Sequence, residues 1–268
     1  GIRKMKYLVY SDLDGTLLNH DDYCFKEASE ALSYLQLHSI PLIIVTSKTF
    51  SEVKPLQEKL NIKCPFIVEN GAGIFIPSDS ILAQNIPAHD SYLKISQAQS
   101  YLELRLFFKL LQKRYPIRGF GDMEVEEVME LTSLDKEDAL NAMKRDFTEP
   151  FVIEDSVAIE SLKDEANKEG LDIVKGGRFY HLISQGQDKA KAMQRLTHLF
   201  EEHFNTSLTM IALGDSANDF TMLKAAHKSV LIPGYDGLYA DIEAPNISKA
   251  PFAGPKGWNI SLLEILNG

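Results

Sequence analysis

Apolar positions along this chain follow two rhythms. The opening carries short, nearly continuous runs, as expected of strands buried on both faces. Tyr7-Leu8-Val9-Tyr10 is the first, so a strand is expected over 6–11. Ala28, Ala31, Leu32 and Leu35 then recur at helical spacing, and His38-Ser39 closes that segment. Pro41 introduces Leu42-Ile43-Ile44-Val45, a second buried strand. Phe50, Val53, Leu56, Gln57 and Leu60 repeat the helical period, with Pro55 inside it as a kink or a boundary. Phe66-Ile67-Val68 is the third strand. A βαβαβ opening predicts an α/β fold: a doubly wound, Rossmann-like parallel sheet with helices on both faces.

The pattern changes after Pro87. Residues 92–114 read as one long helix with Tyr101, Leu102, Leu104, Phe107, Phe108 and Leu111 on its apolar side. A helix over 135–145, a strand at Phe151-Val152-Ile153 and a helix ended by Gly170 follow. Residues 171–175 and 178–184 then read as a hairpin turned by Gly176-Gly177. The first rhythm returns near Asp188, with a helix through Met193, Leu196 and Phe200 and a strong strand over 208–213. The expected organisation is therefore a core formed by residues 1–86 and 187–268, interrupted by an α+β cap over 87–186.

Composition narrows the function. The net charge is −10 with no long Lys/Arg cluster, so a phosphate-tracking nucleic-acid surface is not expected. No apolar run approaches the roughly 20 residues that span a bilayer. Cys24 and Cys64 lie far apart and outside any CxxC pattern, which argues for free thiols in a reducing cytoplasm over a zinc site. A cytoplasmic protein without nucleic-acid or membrane partners is the expectation.

The chemistry concentrates at strand ends. Asp12 and Asp14 close the first apolar run, and residues two apart on a strand share a face. Two nearby carboxylates need a cation, a shared proton or open solvent. Gly214-Asp215-Ser216-Ala217-Asn218-Asp219 follows the strong strand. In open α/β sheets ligands bind beyond the carboxyl ends of strands. If the two strands are neighbours, their carboxylates converge on a site of hard oxygens suited to Mg²⁺. Alone, the second cluster would read as a helix cap. Thr46-Ser47 ends another strand, where hydroxyls and backbone N–H groups cradle phosphate or cap a helix. Lys189 opens a helix, against the preference of the helix dipole.

Asp12-Leu13-Asp14-Gly15-Thr16, Thr46, Lys189 and Gly214-Asp215…Asn218-Asp219 together resemble, in order, the four motifs of the haloacid dehalogenase-like phosphatases. Thr46-Ser47-Lys48-Thr49, Pro65 through Gly71, Gly176 through His181 and Gly254 through Trp258 resemble one branch of them, the mannosyl-3-phosphoglycerate phosphatases. Within the cap, Arg145 and Glu149-Pro150-Phe151 are also similar, while Ser133 stands where that branch usually has glycine.

The resemblance implies a phosphomonoester hydrolase acting on a small phosphorylated sugar-glycerate through an aspartyl-phosphate. Asp12 would be nucleophile and Asp14 general acid and base, with Thr46 and Lys189 on the phosphate. Mg²⁺ would sit on Asp12, the Asp14 carbonyl and Asp215, with Asn218 and Asp219 orienting Lys189 or metal-bound water. A phosphoglycerate carries a carboxylate, so a cation is expected to meet it. Arg178 is the first choice, since a guanidinium grips a carboxylate bidentately. Lys48 and Asn70 near the core mouth come next, and His181 is a further candidate substrate ligand. Hinges are expected near Pro87 and Gly186. Competing readings are a phosphatase of another sugar phosphate or sucrose phosphate, a phosphomannomutase-like phosphotransferase, and a non-catalytic phosphosugar-binding regulator.

Overall fold

The structure is a computed structural model that describes residues 5–84, 91–176 and 178–268. The expected boundary at 86/87, the hinge near Pro87 and Gly177 of the hairpin turn lie outside the described residues. The chain opens with β1 (Tyr7–Ser11), α1 (Ser29–Leu37), β2 (Leu42–Ile44), α2 (Phe50–Lys59), β3 (Phe66–Val68), β4 (Gly73–Pro77) and β5 (Tyr92–Ile95). The middle carries α3 (Tyr101–Gln112), β6 (Ile117–Gly119), α4 (Val125–Thr132), α5 (Lys136–Met143), β7 (Glu149–Ile153), α6 (Ile159–Lys168), β8 (Leu171–Gly176) and β9 (Phe179–Ser184). The last third holds α7 (Lys189–Phe204), β10 (Thr209–Gly214), α8 (Phe220–Ala225), β11 (Lys228–Leu231), β12 (Ile247–Lys249) and α9 (Gly254–Asn267).

Five parallel strands form the centre in the order β12-β11-β10-β1-β2. A single parallel bridge, Val45 to Ile67, carries the sheet on to β3, which pairs antiparallel with β4, and β4 with β5. Alternation along each central strand divides its side chains between two cores. Val9, Leu42, Ile44, Ile211 and Leu213 face the layer of α1, α2 and α9. Leu8, Tyr10, Ile43, Met210 and Ala212 face α7 and α8. This is the doubly wound α/β core that the apolar runs predict.

The middle segment builds a separate antiparallel sheet, β6-β7-β9-β8. Leu104, Phe108 and Leu111 of α3 and Leu162 and Ala166 of α6 cover one face. Phe120, Val128, Ala139 and Ala142 form a second cluster around α4 and α5, with Val152 and Phe179 packed against it.

One local reading changes, and two others are refined. Residues 92–114 are not one helix. Tyr92–Ile95 is a strand whose Leu93 and Ile95 join the α7-side core and whose Tyr92 packs edge-on against Phe50 and Phe66. Ser100 then caps α3 by accepting the Glu103 N–H at 3.3 Å. Burial across the sheet outweighs the helical spacing there. Pro55 lies inside α2, and the helix runs on past it to Lys59. Ser133 ends α4 at φ +62°, in the left-handed region that a glycine would enter more easily.

Candidate active site

The register of β1 on β10 brings the two acidic motifs together. Ser11 pairs with Leu213, and the Asp12 N–H donates to the Leu213 carbonyl at 3.0 Å. Asp12 and Asp215 therefore leave adjacent strands at the same edge. The Thr16 hydroxyl spans them, 3.3 Å from Asp12 Oδ2 and 3.1 Å from Asp215 Oδ1. A tight turn after β1 holds Thr16 there: Gly15 N–H donates to Leu18 O at 2.8 Å and Leu18 N–H to Leu13 O at 2.9 Å. Gly15 has φ +76°, and a Cβ there would collide with His20 and come within 2.7 Å of Asp215 Oδ2. His20 Nε2 itself lies 3.6 Å from that oxygen.

Lys189 is 1% exposed at the start of α7, and its ammonium is fully paired. Nζ lies 3.2 Å from Asp12 Oδ1, 2.6 Å from Asp219 Oδ1 and 3.1 Å from the Val45 carbonyl. These partners explain a cation at the unfavourable end of a helix. Asp219 Oδ2 also accepts the N–H groups of Asp215 (3.0 Å) and Ser216 (3.2 Å). Burial works against the charge on Lys189, but Asp12 and Asp219 more than offset it, so its pKa is raised. Burial, opposed by Lys189 and reinforced by Asp215, pushes the Asp12 carboxyl up to about 7. Burial and Asp12, against Lys189, push Asp219 up to about 6. Three carboxylates around one ammonium leave negative charge in excess.

Thr46 follows β2 and is 2% exposed. It is not a helix cap: that role falls to Thr49, which accepts the Glu52 N–H at 3.2 Å while Glu52 accepts the Thr49 N–H at 3.1 Å. The Thr46 hydroxyl instead accepts the Lys48 N–H at 3.1 Å. Lys48 Nζ reaches Asp14 Oδ2 at 3.1 Å and Glu52 at 3.6 Å. Asn70 lies beside Thr46, donating its N–H to the Thr46 carbonyl at 2.9 Å. Its side-chain oxygen accepts from Asn218 Nδ2 at 3.2 Å. Asn218 thus meets Asn70 rather than Lys189.

A cleft of about 220 Å³ opens beside Asp14. Lys48, Tyr23 and Glu52 line it from the core, and Arg145, Phe179 and His181 from the middle segment. Three buried polar atoms among these residues have no hydrogen-bond partner among the described residues: Asp14 Oδ1, Arg145 Nε and His181 Nδ1. Burial, with the positive Arg145 in support, pushes His181 down to about 3, so the ring is neutral. Arg178 is not among the lining residues; it is exposed and donates to the Leu131 carbonyl. Sequence reasoning gave no role to Thr16 or Arg145. Thr16 was visible in the Asp12–Thr16 motif, whereas the site role of Arg145 depends on a tertiary contact 98 residues away, with Ser47 O.

Residues 9–233 match the haloacid dehalogenase-like hydrolase family. The chain belongs to it. This hydrolase is 46% identical over 262 residues to a glucosyl-3-phosphoglycerate/mannosyl-3-phosphoglycerate phosphatase of Persephonella marina, covering 97% of each chain. A Methanococcoides burtonii protein of the same name is 38% identical over 98% of both chains. Among solved structures, a Thermoplasma acidophilum protein superimposes with TM-score 0.69 at 18% identity, covering 98% of this chain and 99% of that one, a likeness of fold.

Oxygen atoms of Asp12, Asp215 and Asp219 lie within 4.8 Å of one another in the hydrolase. Asp219 is already engaged by Lys189 and two backbone N–H groups. Asp12 and Asp215 share only the Thr16 hydroxyl between them. Two paired carboxylates with excess negative charge fit a hard divalent cation such as Mg²⁺. Among the described residues, no helix is long and apolar enough to cross a membrane.

Proposed function

We propose that this hydrolase removes phosphate from glucosyl- or mannosyl-3-phosphoglycerate, with Mg²⁺ as cofactor, and leaves the glycosylglycerate. The observation that carries this reading is the cleft joining Asp14 and Lys48 to Arg145 and His181. It sets the expected acid beside two cations and a neutral ring, the groups needed for an anionic glycerate joined to a hydroxyl-rich sugar. The names of the Persephonella and Methanococcoides relatives support the same substrate.

In this mechanism an Asp12 oxygen attacks phosphorus and the bond to the leaving alcohol breaks. Asp14 delivers a proton to the departing oxygen. Asp14 then takes a proton from the water that attacks the aspartyl-phosphate, which returns Asp12 and releases phosphate. Lys189 and Thr46 hold phosphate oxygens as charge builds on them. Asp219 keeps Lys189 aimed at Asp12, and Asn218 and Asn70 brace the turn beside Thr46. Mg²⁺, held by Asp12, Asp215 and the Asp14 carbonyl, would neutralise charge between the carboxylate nucleophile and the phosphate. Lys48 is the cation we assign to the glycerate carboxylate, and His181 Nδ1 accepts a sugar hydroxyl.

The cap expected over 87–186 reads the sugar. Tyr92–Ile95 of that range pairs with β4, and the cleft residues the range contributes begin at Phe120. Phosphate release from mannosyl-, glucosyl- and unglycosylated 3-phosphoglycerate tests the proposal. The glycosylated compounds should be preferred at least about tenfold, a discrimination of about 1.4 kcal/mol. Equal weak rates across all three would remove the substrate assignment, and no turnover with Mg²⁺ would remove the activity.

A further inference from the structure

Glu69 is a buried carboxylate with no part in the mechanism above. It follows β3 and is 1% exposed. Its partners come from one four-residue segment between α5 and β7. Oε2 accepts the Asp146 N–H at 3.1 Å. Oε1 accepts the N–H groups of Phe147 (3.2 Å) and Thr148 (3.1 Å) and the Thr148 hydroxyl (2.8 Å). Arg145 Nε lies 3.4 Å away and supplies the opposing charge. Between these polar contacts, Phe147 enters the core cluster of Phe66 and Phe75 and packs so closely over Gly73 that a Cβ there would meet its ring.

The other side of Glu69 is tied to the phosphate site. Its N–H donates to the Lys48 carbonyl at 2.9 Å, and the next N–H, of Asn70, to the Thr46 carbonyl at 2.9 Å. Glu69, Asn70 and Gly71 have φ of +50°, +61° and +97°. Two non-glycine residues in the left-handed region are costly, and such strain persists where surrounding contacts over-determine it. Gly71 completes the turn against the Asp188 carbonyl, where no Cβ would fit. One strained turn therefore touches the strand end that carries Thr46, the start of the Lys189 helix, and the segment at 145–148.

We propose that Glu69 is a positioning residue that clasps the 145–148 segment to the core and couples its docking to the placement of Lys48, the cation assigned to the glycerate. A carboxylate suits this task because it can accept several donors at once, and charge-assisted bonds to it are about twice as strong as neutral ones. The choice of substrate below rests on the function proposed above; the clasp does not.

The test compares wild type with Glu69→Gln, which keeps the size and loses the charge, and with Thr148→Val, which removes one donor. Amide hydrogen exchange reads the clasp directly. In Glu69→Gln the N–H groups of residues 146–148 should exchange at least about tenfold faster, while those of β1 and β10 stay unchanged. Kinetics read the coupling. For mannosyl-3-phosphoglycerate, kcat/KM should fall about 30-fold, with KM carrying most of the loss. For p-nitrophenyl phosphate, which has no sugar to read, it should fall less than about threefold. Thr148→Val should move both readouts the same way by about three- to fivefold. Equal losses on the two substrates would mean that Glu69 serves stability alone and would overturn the coupling. Unchanged exchange at 146–148 in either variant would overturn the clasp. If wild type hydrolyses p-nitrophenyl phosphate but neither glycosyl-phosphoglycerate, the substrate reading fails and the exchange comparison alone decides the clasp.

Discussion

His181 gives the hydrolase a measurable pH dependence of stability. The ring is 7% exposed, and burial, assisted by the nearby Arg145, pushes it from its ordinary 6.5 down to about 3. Above pH 6.5 the ring is neutral whether the chain is folded or not, and it contributes nothing to pH dependence. Below 6.5 the unfolded chain takes up a proton that the folded one refuses, so stability is lost as pH falls towards 3. At pH 5 the unfolded ring is almost fully protonated, and the loss is about 2 kcal/mol; the limit, reached only near pH 3, is about 5 kcal/mol. His181→Gln keeps a polar side chain and removes the titration. Urea unfolding of both proteins at pH 8 and pH 5, followed by far-ultraviolet circular dichroism, isolates the term, since every other titrating group cancels in the comparison. Wild type should lose about 2 kcal/mol more than the variant over that interval. Equal losses would refute the argument, as would a histidine ring resonance set in which every ring titrates near 6.5.

Three other outcomes follow from the site. Asp12→Asn should form no phospho-enzyme, whereas Asp14→Asn should slow its formation and let it linger, each with turnover reduced by about 10³ or more; rapid quench with labelled substrate separates the two. Mg²⁺ at about 100 times its dissociation constant should raise wild-type unfolding free energy by about 2.7 kcal/mol, and Asp215→Asn should lose that gain; an equal thermal shift in both proteins would place the cation elsewhere. Arg178→Ala should change KM for the glycosyl-phosphoglycerate by less than about twofold, because that side chain is exposed and bonded to the Leu131 carbonyl. A tenfold rise in KM would return Arg178 to the substrate.

Much of the core was legible because its signals are local. The apolar runs at 7–10 and 42–45 predict buried strands, and the acids after the first run mark a strand end. Lys189 was legible in a different way, as a cation placed against the helix dipole; Asp12 and Asp219 explain its position. The strand at Tyr92–Ile95 was hidden because its apolar residues also suit a helix, and pairing with β4, across the chain, decides between them. β4 itself follows β3 through three residues of left-handed backbone, Glu69 to Gly71, and its signal was present in the Asn70-Gly71 pair between two apolar runs.

The cap side of the cleft was less legible for a related reason. Arg178 and His181 sit in one short motif, and residue chemistry favours the guanidinium as a ligand. On β9 the pleat turns different side chains to the cleft. Phe179 and His181 are two apart, share a face and line the cleft, while Arg178, outside the strand, points its donors at the end of α4. In the proposed function the charge opposite the carboxylate comes from Lys48 on the core, and Arg145 lies against Glu69. Lys48 already spans Asp14 and Glu52, so a substrate carboxylate arriving there competes for a cation that holds the proposed acid. Binding of the glycerate would thereby loosen Asp14 from its ion pair at the moment it must donate a proton. Under the proposed function the substrate's own charge would help prepare the acid, which a phosphate ester lacking a carboxylate would not do.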